Sequence, residues 1–214
     1  NLDMTLLSGP ASALPGQGIN VSNTVANIGN GATGTFPVGL YLSTDATCTT
    51  GDTFLGSRSL SLGAGGSSNA NTPVTIPGGT APGARFLCGI ADDLSAVFES
   101  NESDNTISAA ISIVQPNLTV SLVNAPAQAS PGSVIAVSNT VGNNGTASAG
   151  AFRVGLYLST DTTCTTGDTF LASRNIASLT NGFANNASTN VTIPAATPLN
   201  TTRYVCGIAD DLLA

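Results

Sequence analysis

Residues 36–58 read FPVGLYLSTDATCTTGDTFLGSR and residues 152–174 read FRVGLYLSTDTTCTTGDTFLASR, so the two stretches differ only at positions 37, 46 and 56. A duplication this close means that one supersecondary plan is used twice, and any fold proposed for one half must serve the other. The correspondence reaches back to the start, where Asn1-Leu2 matches Asn117-Leu118 and Pro15-Gly16 matches Pro131-Gly132. It reaches forward to Cys88 and Cys206, each heading the run CGIADDL. Repeat 1 is therefore read as residues 1–115 and repeat 2 as 117–214, joined at Gln115-Pro116. A joint this short, containing a proline, favours a stiff in-line pair over two freely tumbling domains.

Within each repeat the pattern is strand, turn, strand. Apolar residues alternate at Phe36, Val38, Leu40 and Leu42, and again at Phe86, Cys88 and Ile90, the period-2 signal of a half-buried strand. Strands are expected at about 2–8, 18–27, 35–44, 53–61, 69–76, 84–92 and 105–114. Pro15-Gly16, Asn30-Gly31, Gly51-Asp52, Pro77-Gly78-Gly79 and Pro82-Gly83 punctuate them. Seven short strands with no helical period predict an all-β chain of two tandem antiparallel immunoglobulin-like β-sandwiches. Repeat 2 reaches Ala214 without a counterpart of VFESNESDNTISAAISIV, so its last strand is missing from these residues. That strand either lies outside them or is donated by another chain to the open sheet.

Four cysteines allow three pairings, and the repeat decides among them. Each copy has one cysteine just after its third strand and one in its sixth, and those strands are antiparallel neighbours in such a sandwich. One intradomain disulfide per repeat follows, Cys48–Cys88 and Cys164–Cys206. Zinc is the alternative reading, but two cysteines per repeat, no CxxC and no histidine make a poor site. Bridges imply an oxidising compartment, hence an extracellular or cell-surface location.

Composition removes several function classes. The net charge is −7, and the five basic residues are all arginine (Arg58, Arg85, Arg153, Arg174, Arg203). That is too little positive charge to neutralise a phosphate backbone, so nucleic acid is excluded as a partner. No apolar run is long enough for a membrane helix. Without histidine or lysine, Ser-His-Asp, Cys-His and Ser-Lys arrangements cannot be built, nor can a Lys–Asn isopeptide staple. The chain is read as not an enzyme, with no cofactor unless calcium binds.

Calcium is the candidate because Asp92, Asp93, Glu99, Glu102 and Asp104 crowd one loop with Asn101 among them, and oxygen donors on a flexible loop suit that ion. The competing reading is a solvated connection. Asp45 and Asp52, with Asp161 and Asp168 in repeat 2, bracket the Thr-Cys-Thr-Thr-Gly turn and are expected to cap it. Most aromatic residues recur at equivalent positions and suit a core. Tyr41 and Tyr157, out of phase with the Phe36-Val38-Leu40 face, are the candidates for an exposed glycan-binding platform. Asn20, Asn101, Asn117, Asn144, Asn186, Asn190 and Asn200 head Asn-x-Ser/Thr sequons, a chance outcome in so Asn-, Ser- and Thr-rich a chain.

The order of features resembles the CARDB family, the cell-adhesion-related domain found in bacteria. The matching residues are NLDMTLLSGPASALPGQGINVSNTVANIGNG, VGLYLSTD, GDTFLGSR and ADDLSAVFESNESDNT. The resemblance covers repeat 1 and what is present of repeat 2, and its motifs report turn chemistry more than reaction chemistry. It implies immunoglobulin- or fibronectin-III-like sandwiches used in tandem as spacer or adhesive units. Two departures stand out: the cysteine pair is not a general feature of the family, and there is no tryptophan of the immunoglobulin core. The resulting expectation is a non-catalytic structural or adhesive module, a stalk or fibre-forming repeat that meets neighbouring repeats or copies of itself through strand edges. The alternative is an accessory segment of a secreted hydrolase that meets a surface glycan or protein ligand.

Overall fold

A computed structural model describes residues 1–213. By its internal contacts the chain separates into two compact units, Asn1–Val114 and Gln115–Ala214, and the described residues hold strands but no α-helix.

Unit 1 contains β1 (Leu2–Ser8), β2 (Ser12–Ala13), β3 (Gly18–Asn27), β4 (Phe36–Ser43), β5 (Thr53–Leu60), β6 (Ser67–Thr75), β7 (Gly83–Ala91) and β8 (Thr106–Ile113). One sheet runs β1-β3-β6 and the other β2-β8-β7-β4-β5. Seven of these strands stand where the alternation predicts them. The eighth, β2, is a two-residue segment that pairs with β8 in parallel, the one exception to antiparallel pairing. Two residues carry no periodicity, so β2 has no sequence signal.

Alternation sets which side chains enter the space between the sheets. Leu7, Ile19, Val21, Leu40, Leu42, Val74, Ile76, Leu87, Ile111 and Ile113 form one buried cluster drawn from both sheets. Leu2, Met4, Val25, Phe36 and Val38 belong to a second. In β1 a bulge between Met4 and Leu6 resets the phase. Leu2, Met4 and Leu7 therefore point inward while Leu6 is turned out.

Two core-facing positions of β3 are polar. Asn23 and Asn27 are buried, so each must find partners inside the fold. Asn27 donates through Nδ2 to the carbonyls of Gly31 at 2.7 Å and Gly63 at 3.1 Å, and its Oδ1 accepts from Gly29 N–H at 3.0 Å. It thereby ties the β3–β4 connection to the β5–β6 connection. Asn23 Oδ1 accepts from Arg58 Nε at 2.7 Å, and the same guanidinium donates to the Ser68 hydroxyl and carbonyl. Arg58 lies on β5, whereas Asn23 and Ser68 lie on β3 and β6, so this group stitches one sheet to the other.

Unit 2 repeats the plan with β9 (Leu118–Asn124), β10 (Val134–Asn143), β11 (Phe152–Ser159), β12 (Thr169–Ile176), β13 (Ala184–Thr192) and β14 (Tyr204–Ala209). Its sheets are β13-β10-β9 and β12-β11-β14. Asn139 with Arg174, and Asn143 with Ala147, Leu179 and Gly145, reproduce the polar ties of unit 1. Strand β8 has no counterpart among the described residues, and neither does β2, which pairs only with β8. The surroundings of that missing strand are consequently more open here, on both faces of the sheet. Leu118, Val120, Val123, Val205 and Ile208 are half-buried, whereas Leu2, Met4, Leu7, Leu87 and Ile90 are buried.

Replacing Asn27 with alanine strands two carbonyls and an N–H in a buried setting. Asn27→Ala should destabilise unit 1 by about 3 kcal/mol, while Asn69→Ala at an exposed β6 position should leave it nearly unchanged; urea unfolding midpoints read both.

Candidate functional site

The cysteines pair as the repeat requires. Cys48–Cys88 closes a separation of 40 residues with Cα atoms 5.4 Å apart, and Cys164–Cys206 one of 42 with 5.8 Å. Loop closure of this size contributes about 4 kcal/mol in the chain-entropy model. Neither bridge joins the two sheets. Leu87 points to the core, so its neighbour Cys88 points to the outer face of the β7-β4 sheet, where it packs with Tyr41, Ile90 and Cys48. The bridge therefore holds the loop after β4 as a roof over that outer face. Asp45 Oδ1 accepts from Thr47 N–H at 2.7 Å and Asp52 Oδ2 from Thr49 N–H at 2.8 Å. Asp161 and Asp168 do the same for Thr163 and Thr165, so these aspartates cap the turn as expected.

Tyr41 and Tyr157 do lie out of phase with the core, but they are not exposed. They are 6% and 4% accessible, which corrects the expectation of an open aromatic platform. Period-2 alternation assigns a face without saying what covers it, and the disulfide roof covers this one. Each phenol donates to a carboxylate: Tyr41 to Asp93 Oδ2 at 2.6 Å, and Tyr157 to Asp211 Oδ2. Burial, and then the hydrogen bond to Asp93, pushes the Tyr41 phenol far above its ordinary value. The carboxylate can lie across the strand only because residue 39 is glycine, since a Cβ there would collide with Asp93 Oδ2 and the Tyr41 ring. Gly155 serves Asp211 and Tyr157 identically.

The repeats differ at one partner of this carboxylate. In unit 2, Arg153 donates from Nε to Asp211 Oδ1 at 2.7 Å and from Nη2 to Oδ2 at 2.6 Å. This is the one salt bridge among the described residues, and the Asp211 side chain is fully buried. The Arg153 guanidinium lies 5.4 Å from the centroid of the Phe170 ring. In unit 1 the equivalent residue is Pro37. Asp93 Oδ1 is buried with no hydrogen-bond partner among the described residues.

The acidic loop splits into separate tasks. Asp92, at a left-handed φ of 52°, accepts from the N–H groups of Ala96 and Val97 at 2.8 and 2.7 Å. Asp93 belongs to the tyrosine. Glu99 is buried and accepts from Leu2 N–H and from Asn105 Nδ2, which also donates to Glu102 Oε2 at 3.0 Å. Asp104 Oδ2 accepts from Asn1 Nδ2 at 2.9 Å, and Asn101 Oδ1 from Ser103. Among the described residues no three of these acidic groups converge; the one such cluster is Cys164, Asp168 and Cys206, whose sulfurs form a disulfide. Two loop oxygens, Asp104 Oδ1 and Asn105 Oδ1, are buried without a hydrogen-bond partner there.

Sequence reasoning missed Arg58, Arg174 and the four core asparagines. Their signal was present as VSNTV-x-N and SR at equivalent places in both repeats.

Two β-sandwiches in tandem, each with a three-stranded sheet of the β1-β3-β6 kind facing a sheet centred on β4 or β11, place the molecule among immunoglobulin-like modular proteins. The chain belongs to the CARDB family, whose model matches residues 1–109 and 115–208. Among solved structures it is similar to the CARDB domain of a Pyrococcus furiosus protein, crystallised in complex with di-metal ions. The identity is 20% and the TM-score 0.42, over 53% of this chain and 88% of that one. The solution structure of that domain gives 20% and 0.41, over 52% and 93%. A β-glucosidase from Listeria innocua in complex with glucose is similar over 53% of this chain but only 16% of its own, at 14% identity and a TM-score of 0.34. No curated protein matches the chain.

The Arg153 guanidinium holds the Asp211 carboxyl below the usual carboxylate range, with Tyr157 assisting against the opposing effect of burial. A depressed folded pKa means this stability is fully present above the unfolded value of about 3.9 and is lost as pH falls through the folded one. Unit 2 should therefore lose stability with acid more steeply in the wild type than in Arg153→Met, as followed by thermal melts between about pH 6 and pH 2.

Proposed function

We propose that the chain is a non-catalytic extracellular segment with a structural or adhesive role, a stalk or fibre-forming run of repeats in a bacterial surface or secreted protein. The observation that carries this reading is the near-exact reuse of one disulfide-roofed CARDB sandwich within a single chain. Its polar chemistry is engaged in holding its own loops. Asp45, Asp52, Asp92, Glu99, Asn23, Asn27 and Arg58 all serve turns or inter-sheet ties rather than converging on a cleft. Two disulfides fit an oxidising environment.

Strand edges are the proposed means of association. The β14 edge, unlike that of β7, carries no further strand among the described residues, and the side chains beneath it are half-buried. A strand with the grammar of β8, apolar at alternate positions as at Ile107, Ala109, Ile111 and Ile113, would pair there and complete the burial. The chain's own continuation and another copy could both present such a strand.

Calcium at the acidic loop is a second reading, favoured by the buried oxygens of Asp104 and Asn105 that lack hydrogen-bond partners. A divalent ion would satisfy them. The melting temperature of unit 1 should then rise in millimolar Ca²⁺ relative to EDTA, and equal temperatures would remove calcium from the account.

For the principal reading, antibodies raised against the chain should label intact source cells or their extracellular matrix. Labelling seen only after permeabilisation would overturn it.

A further inference from the structure

The two repeats hold the same carboxylate in the same cradle but supply it with different partners. In both, the main-chain carbonyl of the varying residue accepts the same hydrogen bond, from Asp92 N–H to Pro37 and from Asp210 N–H to Arg153, each at 2.7 Å. Position 37 and position 153 are thus equivalent in backbone as well as in sequence. The aromatic wall is equivalent too. Tyr41 and Phe54 meet edge-on with centroids 5.4 Å apart and planes at 67°, and Tyr157 and Phe170 do so at 5.6 Å and 72°. What differs is the cation. In unit 2 a guanidinium lies between the Phe170 ring and both oxygens of Asp211. In unit 1 Pro37 ends far short of that place, Phe54 is 57% exposed, and Asp93 Oδ1 is buried without a donor.

We propose that Asp93, Phe54 and Tyr41 form a receptor for a guanidinium group carried by an arginine side chain of another polypeptide. The arginine takes in trans the place that Arg153 takes in cis. The chemistry selects this group over others. A buried carboxylate oxygen left without a donor is unfavourable, so the site gains when a donor displaces the atoms that cover Asp93 Oδ1. A planar fork satisfies both carboxylate oxygens at once while its face lies against an aromatic ring. Tyr41 already occupies one direction at Oδ2, just as Tyr157 does beside Arg153, so the hydrogen-bonding capacity left over matches what the guanidinium uses in unit 2. An ammonium is a point charge and makes only one of the two parallel bonds; a neutral urea-like group lacks the charge. The site does not rest on the stalk reading and would stand if that reading failed.

The test titrates the whole chain with N-acetyl-arginine methylamide, following Tyr41 and Phe54 ring resonances by NMR. Wild type should bind one equivalent with Kd on the order of 1 mM, and the citrulline analogue should bind at least about tenfold more weakly. Pro37→Arg should abolish binding by filling the site from within. Arg153→Pro should add a second equivalent by opening the same receptor in unit 2. No ring shifts in wild type, undiminished binding by Pro37→Arg, or equal binding of the citrulline analogue would each overturn the proposal. So would a single equivalent in Arg153→Pro whose unit 2 resonances remain dispersed. When the spectrum of Pro37→Arg stays native, its loss of binding cannot be ascribed to unfolding.

Discussion

Strands β4 and β11 are buried on both faces, and much of each repeat is arranged to make that possible. In a two-layer sandwich a strand has one face on the core and the other toward water. Here the outer face is covered as well, by the loop that the disulfide pins and by a tyrosine whose hydroxyl is bonded to an aspartate just after β7 or β14. That cover needs the carboxylate to cross close to the backbone, which is why glycine stands at 39 and 155. It also needs the loop after β4 to keep its shape, which the capping aspartates at 45 and 52, and at 161 and 168, secure. The outer face thus becomes a small second core, built from one bridge, one phenol and one carboxylate.

Between the sheets the organising groups are polar, in a chain where only 8% of residues are charged. Asn23 and Asn27 occupy positions that alternation assigns to apolar side chains, and each is satisfied by groups from a different part of the sandwich. A buried amide with its donors and acceptors all engaged contributes modestly to stability, but it tolerates few alternative arrangements of the surrounding loops. Arg58 and Arg174 add the same restriction between sheets, since a β5 residue bonded to β3 and β6 fixes how one layer sits over the other. Specificity of this kind lets a sandwich without tryptophan and with few large aromatics keep one arrangement.

Most of the architecture could be read from the sequence because it rests on period and repetition. The alternation of β3, β4 and β7 placed the strands, and the repeat reduced three cysteine pairings to one. The limits have physical causes. Strand β2 is too short to have a period. Tyr41 was assigned to the outer face correctly, but its cover comes from a loop whose path depends on a disulfide distant in sequence. The acidic residues of 92–104 look like one ligand set on paper because they are close in the chain. In space they disperse, since Asp92 turns back on its own loop, Asp93 crosses to Tyr41, and Glu99 and Asp104 reach toward β1. The pair Pro37 and Arg153 was visible as one of three differences in a stretch of near identity. Its meaning depended on knowing that Asp93 and Asp211 sit opposite it.

The placement of the disulfides also bears on mechanics. Each bridge joins the loop after β4 or β11 to the middle of β7 or β14, so β5, β6 and their counterparts β12 and β13 lie inside the covalent loop. Tension applied along the chain would pass from one cysteine straight to the other and bypass those strands. About 140 Å of contour per repeat is thereby withheld from extension, taking ~3.5 Å for each of the 40 residues spanned. Reduction would release that slack. An oxidised repeat would accordingly extend less under load than a reduced one, so its extensibility would follow the redox state of its surroundings.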